Sequence, residues 1–366
     1  MRRVFRNPFA RAFMLLGLAI PLSLSTYHPM AGQAPARQAA PSWQVVPALS
    51  PYIDVHSHAN SGDRDAVLSD TAGRAMQLQN GAGMVFMPPP AETPDGAFDA
   101  ETIASPVKKY PGKFWFNGGG GTLNMMIFES VRTGNVSPEV QRKFRERAQE
   151  IARMGAVGFG EISGPRLPRG GPGTWVQPPM DHPLYFILAD VAGEHNMAID
   201  LHMEAISQTF SFPTGSGWAK LDPLPDPPVL KESISGFERL LRHNRRAKIV
   251  WGHASWDHTG QWTVELSRRL LRAHPNLFMS IKCDSEDFGL NPYMVDVQKG
   301  PIKPEWLQLL KEFPDRFVIG SDQGYPLRAG GPMPRWQTTV LFFNQLPADL
   351  RQKIGLDNPI RIYSLK

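Results

Sequence analysis

The sequence predicts an α/β chain of the (β/α)8 barrel type, folded as one domain. Three observations carry that expectation. From Tyr52 onward, short apolar runs alternate with amphipathic helical stretches, the pattern of repeated β-α units around a parallel sheet. The apolar runs number eight, and the chain has the length of a single barrel unit. Several of the runs end in a histidine, glutamate or aspartate, which in a barrel brings those side chains to one mouth.

The first strand is Tyr52 to His58; its period-two alternation puts His56 and His58 on one face, with Asp54 expected beside them. Asp65 to Asn80 reads as a helix closed by Gly81, and Gly83 to Met87 as the second strand before the loop forced by Pro88, Pro89 and Pro90. The third strand is Lys113 to Asn117, leading into Gly118 to Gly121. Ser137, Pro138 and Glu139 form a helix start, with Val140, Phe144, Ala148 and Ile151 tracing one face up to Gly155. Val157 to Glu161 is the fourth strand and Ala198 to His202 the fifth, with a helix from Pro183 to His195 between them. A helix from Leu230 to His243 precedes the sixth strand, Lys248 to His253. The seventh strand is Leu277 to Ile281 and the eighth Phe317 to Asp322.

Residues 1–34 have the form of a signal peptide. Arg2, Arg3, Arg6 and Arg11 make a basic start, Phe13 to Leu24 is an apolar run too short for a membrane span, and Gly32 and Ala34 fit cleavage after Ala34. The Arg2-Arg3 pair also resembles the opening of a twin-arginine leader. A periplasmic or secreted location follows, with no membrane association beyond the export signal. Residues 35–50, rich in Ala, Pro and Gln, read as a linker, and 51–366 as the barrel domain. The leader's four arginines, with no lysine or acid, account for most of the basic balance, so the formal charge falls from +5 to +1 without them. Nucleic acid is thereby not an expected partner. Cys283 is the only cysteine, which excludes an intrachain disulfide and any multi-cysteine metal site.

Glu161, His202, His253 and Asp322 each close an apolar run, and with His56 and His58 they would face one another across the barrel mouth. On these residues the chain resembles the amidohydrolase superfamily of metal-dependent hydrolases. That family carries His-x-His on strand one, Lys or Glu on strand four, His on strands five and six, and Asp on strand eight. The closing segment Lys353 to Tyr363 is similar to the terminal helix of its amidohydrolase-2 branch, and Glu161 in place of a lysine brings the pattern nearer to TatD-like members. The resemblance implies that His56, His58, Glu161, His202, His253 and Asp322 ligate one or two divalent ions. Zinc is the default, with manganese or iron as alternatives, because imidazole and carboxylate suit all three. Asp322 is the expected general base, and with a single ion His253 would polarise the substrate. Asp54 and Asp200 are candidates for orienting a ligand histidine.

Long Pro/Gly-rich loops follow strands four and five, Gly164 to Met180 and Phe210 to Pro228, and carry Arg166, Arg169, Trp175, Trp218 and Lys220. Trp256, Lys282, Tyr325 and Arg166 are the candidate substrate-binding residues. No Gly-x-Ser-x-Gly elbow, P-loop or dinucleotide fingerprint is present. The expected activity is hydrolysis of a small ester, lactone or amide by a metal-activated water. The alternative is metal-dependent, non-oxidative decarboxylation of an aromatic or enoic acid. The partner is a small-molecule substrate, with self-association left open. A metal-containing binding protein without activity is disfavoured by the complete ligand set.

Overall fold

A computed structural model of the chain describes residues 44–60, 62–91, 98–167, 176–211, 229–254, 256–283, 294, 301–327 and 333–366. The proposed leader, and Arg169, Trp175, Trp218 and Lys220, lie outside the described residues. Among those described, no helix is long and apolar enough to cross a membrane.

Strands β1 (Tyr52–Ala59), β2 (Gly81–Met87), β3 (Phe114–Gly119), β4 (Gly158–Ser163), β5 (Ala198–His202), β6 (Lys248–Ala254), β7 (Leu277–Ile281) and β8 (Phe317–Ile319) pair in parallel, each with the next. β8 returns to pair with β1, which closes the barrel. A short β9 (Gln323–Tyr325) also pairs with β1, so the eighth run is one strand in two halves, interrupted at Gly320, Ser321 and Asp322. The expectation of one continuous strand to Asp322 is corrected there: Asp322 has a left-handed backbone, φ 56°, which cannot continue a ladder.

Helices fill the connections as local sequence dictates. In α5 (Pro138–Arg153), Ser137 caps the first turn by accepting from the Val140 N–H, Pro138 occupies a position whose N–H needs no partner, and Phe144, Ala148 and Ile151 are buried. α6 (Pro183–His195) matches its expected limits. The expected helix from Asp65 to Asn80 is α1 (Arg64–Asp70) and α2 (Met76–Gln79) joined by a π-turn over Thr71–Ala75. The residue that ends it in the left-handed region is Asn80, φ 55°, while Gly81 already begins β2. The helix expected from Leu230 starts at Ile234 (to His243, α7), because Val229–Leu230 instead pairs antiparallel with Phe210–Ser211. α3 (Ala100–Val107) and α4 (Leu123–Thr133), flanking β3, were not expected from the sequence.

The expected linker is also revised. Val46 N–H donates to Gln337 Oε1 and the Gln337 amide returns a bond to Val46 O, while Asn80 Nδ2 donates to Ala48 O. The stretch from Val46 to Ser50 therefore belongs to the folded body rather than to a free tether. Two apolar layers hold the barrel. Outward side chains such as Phe86, Phe116, Phe159 and Trp251 pack under the helices. Inside, Val85 from β2 and Val250, Phe278 and Val318 from the adjacent strands β6, β7 and β8 meet one another, together with Ile362, Tyr363 and Leu365 from the C-terminal segment. These interior residues sit in the lower and middle parts of their strands, which leaves the C-terminal ends for polar groups.

Candidate metal centre

The centre begins with an irregularity in β1. The ladder to β2 slips between Asp54 and Ser57. Ile53 and Val55 both point into the interior cluster, yet His56 also points inward, so the bulge places two consecutive side chains on one face. Asp54 therefore does not share the histidines' face, contrary to the simple alternation. Its buried carboxylate accepts from His56 N–H, Ser321 N–H and Ser321 Oγ, tying β1 to the break before Asp322. The Asp322 N–H in turn donates to His56 O.

Glu161 does not end β4, since Ile162 and Ser163 continue it. Asn124, from α4, holds that strand end: its Nδ2 donates to Glu161 O and Gly120 O, and its Oδ1 accepts from Ser163 N–H. A Cβ on Gly160 would come within 2.9 Å of Asp200 Cβ, so the residue before Glu161 must be small for β4 and β5 to bring their carboxylates together. His253, near the end of β6, has φ 65°, which turns its ring into the mouth.

All six expected ligands converge in two overlapping sets. His56 Nε2, His58 Nε2, Glu161 and Asp322 form the first, and Glu161, His202 and His253 the second. In the first set, His56 Nε2 lies 3.6 Å from Glu161 Oε2 and 3.7 Å from Asp322 Oδ1; His58 Nε2 lies 3.6 Å and 3.0 Å from the same atoms. In the second, Glu161 Oε1 lies 2.5 Å from His202 Nδ1 and 3.2 Å from His253 Nε2, which is 3.0 Å from His202 Nδ1. Glu161 thus turns one oxygen to each set. A tetrahedral ion with ligand bonds of about 2.0–2.1 Å has donor-to-donor edges of roughly 3.3 Å. The first set brackets that spacing, and the second is drawn closer by its hydrogen bonds.

The proton positions fit a metal as well. His58 Nδ1 lies 3.1 Å from the Met87 carbonyl, which can only accept, so the ring proton belongs there and Nε2 offers its lone pair. His56 Nδ1 faces Asp200 Oδ1 at 3.0 Å, near enough for ion pairing though not aligned as a good hydrogen bond. His56 Nε2 is buried without a hydrogen-bond partner among the described residues. A buried imidazole nitrogen aimed at two carboxylates and left unbonded is what a ligand nitrogen looks like. Asp200, named from the sequence as an orienting carboxylate, serves His56 rather than its strand-mate His202.

The electrostatics follow from crowding. Burial works against ionisation of Glu161, but the imidazoles of His202, His253 and His56 outweigh it and hold the carboxyl well below its usual range. Burial likewise opposes the charge on Asp322, and Lys282 and Arg335 reverse the balance. His253 is pushed well below the ordinary imidazole range by burial and by His202, which favours the neutral, ligating form.

Of the residues expected to bind substrate, Trp256 and Lys282 border the centre. Lys282 is fully buried, with Nζ 2.7 Å from Asp322 Oδ2 and 3.0 Å from the centroid of the Trp256 ring. Trp256 also stacks edge-on against His253 and His258. Arg335, at the start of α10 (Arg335–Phe343), was missed: Nη1 lies 3.0 Å from Asp322 Oδ2 and from Asp322 O. Asp322 therefore shows Oδ1 to the histidines and Oδ2 to two cations. Tyr325 is not at the mouth. Its ring packs on Phe86 and its hydroxyl accepts from Gln79 Nε2, because β9 resumes the alternation with Tyr325 facing the helices. Arg166 is buried past β4, near Tyr185 on α6. Lys282→Met removes one of the two cations on Asp322 and is expected to cost about 1.5–3 kcal/mol of stability in equilibrium urea unfolding, the worth of one charge-assisted hydrogen bond; an unchanged midpoint would show that Arg335 alone suffices.

A family model, described as Amidohydrolase, matches residues 135–365. The chain belongs to the amidohydrolase family. As an amidohydrolase it is a metal-dependent enzyme, and the residues gathered at the barrel mouth supply the matching His/Glu/Asp cluster. No curated protein matches the chain in sequence. Among solved structures, this amidohydrolase is similar to a 2,6-dihydroxybenzoate decarboxylase, at 15% identity over 86% of this chain and 99% of that one, with a TM-score of 0.50. It also matches a dihydroorotase from Saccharomyces cerevisiae, at 15% identity over 87% and 85%, with a TM-score of 0.48. A 5-carboxyvanillate decarboxylase from Sphingomonas paucimobilis matches at 12% identity over 86% and 99%, with a TM-score of 0.47. At these identities the likeness is one of fold.

Proposed function

We propose that this amidohydrolase hydrolyses a small ester, lactone or amide at a centre of two divalent ions, zinc being the first candidate. The observation that carries the reading is Glu161: its Oε2 faces His56, His58 and Asp322 while its Oε1 faces His202 and His253. One carboxylate between two complete donor sets suits a pair of ions better than one. Divalent ions in such a site supply Lewis acidity, lowering the pKa of a coordinated water to about 7 and polarising a carbonyl.

The protein's part is positional. The Met87 carbonyl holds the ring proton of His58 on Nδ1, and the Asp200 carboxylate beside His56 Nδ1 favours the proton there, so that both Nε2 atoms are left to face Glu161 and Asp322. Asp322 Oδ1 stands beside them as the acceptor for a proton from the attacking water, which it returns to the leaving group. Its Oδ2 is fixed by Lys282 and Arg335, so the carboxylate cannot swing away. Trp256 closes one side against bulk water.

The second reading, loss of carbon dioxide from an aromatic or enoic acid, draws support from the two cations beside the centre. Lys282 and Arg335 both lie where a substrate carboxylate could compete with Asp322 for them. One experiment tests both. Purified protein is analysed for metal, then incubated with panels of lactones, esters, amides and aromatic acids while product acid and carbon dioxide are measured. About two ions per chain with hydrolysed product is the expected result; carbon dioxide release without hydrolysis would transfer the assignment to the second reading.

A further inference from the structure

The C-terminal segment reaches the metal centre from the other end of the barrel. Tyr363, at the end of α12 (Asn358–Ile362), is 1% exposed and packs among Ile53, Val85, Val250 and Val318 in the interior cluster. Its hydroxyl does not stop in that apolar layer. It lies 3.1 Å from Asp200 Oδ2, and the other oxygen of the same carboxylate lies 3.0 Å from His56 Nδ1. Asp200 is fully buried, and Oδ1 has no hydrogen-bond partner of good geometry among the described residues. The phenol is thus the one group among them that hydrogen-bonds this carboxylate and fixes its plane. Burial, and the charge of Asp200 itself, keep the phenol protonated, so its O–H stays available to donate.

We propose that Tyr363 is a positioning residue for the metal centre, acting through Asp200 to hold His56 in the orientation that presents Nε2 to the ion. The inference rests on the metal-centre reading above. A tyrosine here solely for packing would need only its ring. The hydroxyl, set against a carboxylate that in turn faces a ligand histidine, has the form of an outer support, whose loss typically weakens metal affinity 10–100-fold.

The test is the zinc dissociation constant of apoprotein, by competition with a chromophoric chelator at fixed pH. It is measured for the unaltered chain, Tyr363→Phe, Asp200→Asn and the double variant, with circular dichroism confirming the fold. Tyr363→Phe keeps the ring and is expected to weaken zinc binding about tenfold, Asp200→Asn at least as much, and the double variant no more than Asp200→Asn alone. Unchanged affinity in folded Tyr363→Phe, even with a lowered melting temperature, would reduce the residue to packing and overturn the proposal. So would a double variant whose loss is the product of the two single losses. If the unaltered chain binds no zinc or other divalent ion, the metal-centre reading itself fails; if it binds tightly and Tyr363→Phe binds equally well, only the role of Tyr363 falls.

Discussion

Glu161→Gln is expected to empty both ion positions together. Total metal should fall from about two per chain to well under one, and turnover by about a thousandfold or more, because the electrostatic term that drives such hydrolysis is lost with the ions. His202→Ala touches only the second donor set, so it should leave one ion per chain. The contrast comes from the placement of the Glu161 oxygens, one toward each set. Metal analysis of both variants decides it, and equal metal loss in the two would show that the centre does not divide at Glu161. The amide is of similar size but neutral, so the loss cannot be put down to a cavity.

Removal of metal by a chelator should lower the melting temperature by about 8 °C for each ion lost, about 16 °C for two. A ligand present at a thousand times its dissociation constant stabilises the native state by about 4 kcal/mol, and each kcal/mol is worth roughly 2 °C in a chain of this size. The fall is limited because the empty centre is not left as bare charge: Glu161 keeps its bonds to His202 and His253, and Asp322 keeps Lys282 and Arg335. Differential scanning calorimetry before and after dialysis, with restoration on adding zinc, measures the effect. An unchanged transition after complete metal removal would mean that the ions bind without linkage to folding.

The six convergent residues were legible in the sequence because each stands at or near the end of an apolar run, and a parallel barrel leaves such ends no other place to go. β5 and β7 even match at both limits, being short β-rich runs bounded by clear helix and turn signals. The misreadings share a cause: period-two logic assumes an unbroken strand. The bulge in β1 moved Asp54 off the histidines' face, and the break at Asp322 reset the alternation so that Tyr325 turned toward Gln79. Arg335 and Asn124 lay beyond local pattern altogether. Each is a single polar residue in a helix, thirteen residues past Asp322 in one case and 37 before Glu161 in the other, and only tertiary packing gives it a role. The α3 helix hid for a different reason, since Pro106 inside it reads as a breaker.

The left-handed backbones of His253 and Asp322 have a consequence for how this protein can change. Residues with a Cβ cost about 1–3 kcal/mol in such conformations, whereas glycine adopts them freely. At these two positions the substitution that most relaxes the main chain is also the one that deletes a donor to the centre. Glycine at 253 is therefore downhill in backbone energy, whereas at 322 that relief is outweighed by stranding the buried Lys282 without its carboxylate, so a descendant released from selection for turnover would drift toward glycine at 253 first and become a silent barrel.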